Sequence, residues 1–236
     1  MATDAAWRKE LENERRMKDE FMARHPESPF VGGRVPFHEL RYFPPDPKFR
    51  LRATLRRRPV PEEAYLRTNR DGQSVMRYLG DLSFKVGSTP VRLAVYHAGE
   101  GVGAAVFVPF RDLTSGGESY GPGRYLTFEL NEDDVYDLDF NRAFNPYCAY
   151  TDDYECGFPP AQNDLPVAIR AGEKVWAADE NPATPSTVVL QQLRRATGRA
   201  APAAPKPAPR RKKAVSGSGT RRGSRRSRTA PRPRRG

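Results

Sequence analysis

Apolar side chains recur at every second position from Phe49 onward, and this period of two is the strongest constraint on what the chain can fold into. Phe49, Leu51, Ala53 and Leu55 face one way, with Arg50, Arg52, Thr54 and Arg56 between them facing the other. The spacing predicts a strand over 49–57 and further strands over 64–68, 75–86, 91–96, 104–110, 125–130, 137–141, 166–170 and 174–176. Turn residues separate several of them, as at Asn69-Arg70-Asp71-Gly72 and Gly87-Ser88. The gaps are hairpin-sized and no helical segment alternates with the strands, which excludes a doubly wound parallel sheet. A mainly β fold is expected: an antiparallel barrel or sandwich of roughly eight strands.

Ahead of the strands the period changes. In Asp4–Arg24, the residues Trp7, Leu11, Met17, Phe21 and Met22 share one broad stripe at about 100° per residue. Thr3 or Asp4 can cap the start, Glu14 and Lys18 form an i,i+4 pair, and His25-Pro26 ends the helix. Residues 1–27 are expected to pack on the β domain, with dimerisation through the stripe as the alternative. From Phe30 to Phe49 come Pro36, Phe37, Tyr42, Phe43, Pro44, Pro45 and Pro47, an extended segment wrapped over the core and anchored by its aromatic rings. The β domain is expected to span 28–193.

Beyond it the composition breaks. From Arg194 to Gly236 there are sixteen Lys and Arg, no Asp or Glu, and one aliphatic residue larger than Ala, Val215. Such a stretch cannot bury enough apolar surface to fold, so 194–236 is expected to be a disordered basic tail. The whole chain carries +11, yet residues 1–193 hold 24 basic against 29 acidic residues. The domain itself is therefore mildly acidic, which argues against a nucleic-acid-binding face on it. Arg210, Arg211, Lys212, Lys213, Arg221, Arg222, Arg225 and Arg226 suit DNA or RNA phosphates without sequence choice. No aromatic residue interleaves them, so base stacking is not expected, and the alternative is a solubilising tail. The first ten residues lack an apolar core, and the longest apolar run, 104–110, falls far short of the roughly 20 residues of a membrane helix. No membrane association is expected, and a cytoplasmic location would keep Cys148 and Cys156 reduced.

Several motifs bear on chemistry. Gly117-Glu118-Ser119-Tyr120-Gly121 matches G-x-S-x-G, but Pro122-Gly123 and a strand follow where the hydrolase elbow needs a helix, so that reading is rejected. The segment Asp112 to Gly123 is longer than the usual loop of about 2–5 residues, rich in Gly, and flanked by Arg111-Asp112 and Arg124. Either the two arginines clamp a carboxylate or phosphate, or an internal Arg–Asp pair braces an Ω-loop. Asp139 and Asn141 share strand parity near Cys148, as in a ligand cavity or a solvated strand face. The spacing of Cys148 and Cys156 does not fit a zinc site, and no metal is expected. Inert buried thiols are the leading reading, and a Cys148–His97 dyad is the alternative. Asp112, Glu118 and Asp139 are available as paired carboxylates. The leading functional expectation is a small-molecule pocket, binding or hydrolytic, lined by Arg111, Asp112, Tyr120, Arg124, Asp139, Asn141 and Cys148.

A longer pattern runs through the second half. It comprises Pro109-Phe110-Arg111-Asp112, Tyr120-Gly121-Pro122-Gly123-Arg124-Tyr125-Leu126, Leu138-Asp139-Phe140-Asn141 and Asn145-Pro146-Tyr147-Cys148-Ala149-Tyr150. It continues through Cys156, Pro159-Pro160 and Asn163 to Leu165-Pro166-Val167-Ala168-Ile169-Arg170-Ala171-Gly172-Glu173, with Leu40-Arg41-Tyr42-Phe43-Pro44-Pro45-Asp46 upstream. In these motifs the chain resembles the DUF1684 family of bacterial and archaeal proteins over most of residues 7–176. The resemblance implies a domain that ends before the basic tail, and no assigned activity or catalytic residue.

Overall fold

The computed structural model describes residues 3–32, 35–97 and 105–176. The basic tail, with every cluster from Arg210 to Arg226, lies outside the described residues. One helix, α1 (Asp4–Arg24), precedes six strands: β1 (Arg50–Arg67), β2 (Gln73–Val86), β3 (Thr89–His97), β4 (Ala105–Phe110), β5 (Arg124–Glu129) and β6 (Val135–Asp139). They form one antiparallel sheet in the order β5-β4-β3-β2-β1-β6. No helix among the described residues is long and apolar enough to cross a membrane.

The topology forces curvature. β5 and β6 are the two edges of the sheet, yet residues 130–134 alone join them. Five strand spacings in a flat sheet come to about 24 Å, and so short a link spans at most roughly 20 Å. The sheet therefore curls into a half-barrel that brings its edges together. Phe128 of β5 and Tyr136 of β6 pack across the open seam with ring centroids 4.5 Å apart and planes tilted by 47°. Alternate residues fill the interior, among them Ala53, Leu55, Leu82, Phe84, Leu93, Val95, Val106, Val108, Leu126 and Leu138.

The described residues hold six strands, where roughly eight are expected from the sequence. The runs 49–57 and 64–68 are one strand, β1, although Pro59 and Pro61 lie between them. The pairing of β1 with β2 shifts register between Arg57 and Glu62, and β6 covers only 50–54 on the other side. The prolines thus sit in a bulge on an open edge, where no ladder hydrogen bond is lost. Gly80 stands opposite Arg57 with φ +151°, and a Cβ there would lie 2.1 Å from the Arg56 carbonyl oxygen. The irregularities on β1 and β2 switch strand parity. Ala64, Leu66, Met76 and Tyr78 consequently pack on the far side of β3, against Ala94 and Tyr96. The runs 166–170 and 174–176 form no strand. The stretch 165–171 still delivers Leu165, Ile169 and Ala171 to the core.

After β6 the chain turns across one end of the half-barrel. Asp139 caps a 3-10 turn over 140–142 by accepting the Asn141 N–H. Phe140, fully buried, packs on Phe84 and Phe110 and closes that end. The helix α1 lies over this turn. Trp7, Leu11 and Met22 are its buried residues, whereas Met17 of the expected stripe is 59% exposed. Trp7 Nε1 donates to Asp139 at 2.7 Å, a buried hydrogen bond to a charged group worth about 1.5–3 kcal/mol. The proline-rich segment is not extended throughout, since 30–32 is a turn and Pro47–Phe49 a 3-10 turn, but 41–43 runs beside 172–174. Phe43 N donates to the Gly172 carbonyl, and Lys174 N to that of Arg41.

Candidate functional site

Of the seven residues singled out from sequence, six fall into three pairs and Arg111 stands apart. Arg124 and Asp112 meet inside the protein at 2.8 Å with no exposure of either side chain. Arg124 also donates to the carbonyls of Ile169, Ala171 and Glu173, and Asp112 accepts from the N–H groups of Thr114 and Ile169. This pair is spent on holding the long loop to the 169–173 segment. Arg111 sits apart and partly exposed, 3.7 Å from Asp164.

Asp139 and Asn141 lie under α1. Asn141 Nδ2 donates to Asp139 at 2.8 Å, and its side chain also bonds both backbone groups of Asp46. Their meeting comes from the capped turn rather than from strand parity. Tyr120 and Cys148 form the third place, where the Tyr120 hydroxyl donates to the Cys148 carbonyl at 3.2 Å. Glu118 pairs with Arg170 at the surface, and Ser119 is buried with its hydroxyl 2.7 Å from that of Thr114.

A separate cavity of about 150 Å³ opens between α1 and the turn it covers. Its floor and walls include Leu11, Ala143 and Phe144, and its polar residues are Glu14, Arg15, Lys18, Tyr42, Asn141, Arg142 and Glu173. Arg142 is held by carboxylates on all three of its nitrogens, from Glu10, Glu14 and Asp139. Lys18 pairs with Glu173, whose other oxygen accepts from Asn145 N at 2.8 Å and Tyr150 Oη at 2.7 Å.

Arg15 differs from these two cations. Its terminal nitrogens donate to the carbonyls of Phe43 and Asn141, and no carboxylate among the described residues pairs with it. Its guanidinium carbon stands 4.5 Å over the Tyr42 ring. Burial lowers its pKa, against a partial Coulombic offset from its neighbours. Burial, reinforced by Glu173, raises that of Tyr42, which stays a neutral hydroxyl. Five buried side-chain atoms among the described residues lack a hydrogen-bond partner, and two of them, Arg15 Nε and Tyr42 Oη, belong to this cavity.

Sequence reasoning passed over this place, although a signal was present. Leu11, Arg15, Lys18 and Met22 follow one another at helical spacing, so two cations interrupt the apolar stripe between residues that are both buried. A charge on a buried face needs a partner or a ligand. Asn163 was quoted only as part of a pattern. Fully buried, it donates to the Ala94 and Pro109 carbonyls and accepts the Ala94 N–H, tying β3 to the end of β4.

A family described as "Protein of unknown function (DUF1684)" matches residues 35–174. Among solved structures, the chain is similar to the solution NMR structure of an uncharacterized protein of Haloarcula marismortui. The two are 36% identical with a TM-score of 0.58, over 72% of this chain and 95% of that one. No curated protein matches the chain.

Proposed function

The chain belongs to the DUF1684 family, and we propose that it binds a small anionic molecule, a carboxylate or phosphate, in the cavity beneath α1. The observation that carries this reading is the coincidence of two partnerless buried donors, Arg15 Nε and the Tyr42 hydroxyl, in one cavity. Leaving a buried donor unpaired costs about 1–3 kcal/mol, and an anion would satisfy both while offsetting the desolvated Arg15 charge. Cavities of about 150 Å³ hold a molecule the size of benzene, so the ligand is of roughly that bulk. An apolar floor of Leu11, Ala143 and Phe144 beneath convergent charged groups suits a small polar ligand. Arg15 is held by the Phe43 and Asn141 carbonyls and Lys18 by Glu173, so these cations are in place before the ligand arrives.

Backbone-amide NMR of the full chain tests this, titrating with orthophosphate, acetate and succinate. Saturable shifts are expected around Arg15, Lys18, Tyr42 and Glu173 for at least one of the three, and their loss is expected in Arg15→Gln. Shifts confined to the tail, or no saturable shift, would overturn the reading.

A second reading comes from composition. The sixteen cations beyond residue 193 would tether the domain to nucleic acid, with the affinity falling steeply as salt rises. Replacing Arg210, Arg211, Lys212 and Lys213 together by Gln should weaken duplex binding in a mobility-shift titration and flatten its salt dependence. Unchanged binding would discard the tether.

A further inference from the structure

The charges around the cavity beneath α1 are matched unevenly. Glu173 answers Lys18, and Glu10, Glu14 and Asp139 all answer Arg142. Arg15 meets carbonyls and the Tyr42 ring instead. One cation is thus open to an anion, in a setting of four carboxylates. Glu173 is held in place among them. Its side chain is 1% exposed, one oxygen bonds Lys18, and the other accepts from Asn145 N and Tyr150 Oη. Buried in this way, its charge is little screened by water or salt. Its backbone pairs with that of Tyr42, which places the charge on the same wall as the partnerless hydroxyl.

The open donors are few. Both terminal nitrogens of Arg15 already donate to carbonyls, which leaves Nε, and Tyr42 offers its hydroxyl. Two donors suit the two oxygens of a carboxylate. A phosphate in the same position would have oxygens that this pair cannot reach, and unmet acceptors in a buried place are costly. A second negative charge would also face Glu14 and Glu173. The floor of Leu11, Ala143 and Phe144 offers a phosphate nothing, but it suits a short hydrocarbon chain.

We infer that the cavity selects a short-chain monocarboxylate, its carboxylate on Arg15 Nε and the Tyr42 hydroxyl and its alkyl chain over Leu11, Ala143 and Phe144. This selectivity rests on the anion reading above and narrows it, because dianions such as orthophosphate and the dicarboxylates are turned away. Volume sets the chain length. A cavity of about 150 Å³ holds benzene, with about six non-hydrogen atoms, and butyrate has as many. Each methylene placed on the floor should tighten binding about fourfold, so butyrate should bind about fifteenfold more tightly than acetate.

Backbone-amide NMR of the full chain tests this at constant ionic strength and mildly alkaline pH, where orthophosphate is a dianion. Acetate, propionate, butyrate, butyramide, succinate and orthophosphate are each titrated, and dissociation constants are read at the amides around Arg15, Lys18, Tyr42 and Glu173. Restricting the reading to these amides separates the cavity from anions gathered by the sixteen cations beyond residue 193. Butyrate should bind most tightly, then propionate, then acetate. Butyramide, succinate and orthophosphate should each be weaker than butyrate by about tenfold or more. Orthophosphate is smaller than butyrate, so its rejection would not be a matter of bulk. Orthophosphate or succinate binding as tightly as butyrate would overturn the selectivity and leave the anion reading standing. Propionate and butyrate binding no more tightly than acetate would overturn it too, by removing the apolar floor from recognition. Butyramide equal to butyrate, or no saturable shift with any of these compounds, would overturn both. The unsubstituted chain carries the whole ranking, so no outcome depends on a variant that folds.

Discussion

Arg124 and Asp112 are bound to each other at 2.8 Å in a place no water reaches, and the guanidinium spends its remaining terminal bonds on backbone carbonyls of Ile169, Ala171 and Glu173. The irregular segment 169–173, whose strand-like pairing is the isolated bridge of Glu173 with Tyr42, is thereby tied to the end of β5. Truncating one member leaves the other charge buried alone. Arg124→Ala should destabilise the protein by about 3–5 kcal/mol in urea unfolding, with a similar loss for Asp112→Ala. The double variant should cost much less than the sum of the two, because the same interaction is lost only once. Additive losses would show that the two side chains act separately.

The pair also marks what could be read from sequence. Arg111-Asp112 and Arg124 around a glycine-rich loop offered both a ligand clamp and an internal brace, and the two look alike until burial is known. The period of two gave the strands, since Ala53, Leu55, Leu82, Leu93 and Val106 alternate into one core. It failed at Pro59 and Pro61, where a bulge lets β1 continue through residues that normally end a strand. It failed again at 166–170, where side chains enter the core without ladder bonds because Arg124 supplies their carbonyls with partners. The helix was legible from its caps and stripe, but Lys18 was read only as the partner of Glu14, and Arg15 carried no reading. Which face of a helix is buried depends on what lies beneath it, and the turn after Asp139 follows no periodic signal.

Tyr42 should separate binding from stability. Its hydroxyl is buried without a partner, so Tyr42→Phe removes an unsatisfied group and keeps the ring that stacks under Arg15. The ligand-free protein should become more stable by about 1 kcal/mol in thermal or urea unfolding. The anion-dependent NMR shifts near Arg15 should weaken in the same variant. A loss of stability would mean that the hydroxyl already has a partner in solution.

Gly80 should tolerate no side chain. At φ +151° and with the Arg56 carbonyl oxygen 2.1 Å from where a Cβ would stand, even alanine must push β1 away from β2. Gly80→Ala should cost about 3 kcal/mol, the scale of backbone strain at a special position. Gly87 offers the control. It also has positive φ, but a Cβ there would meet nothing within 4 Å. Gly87→Ala should lose less, about 1 kcal/mol, through backbone conformation alone. Equal losses at the two sites would remove the close approach as the cause.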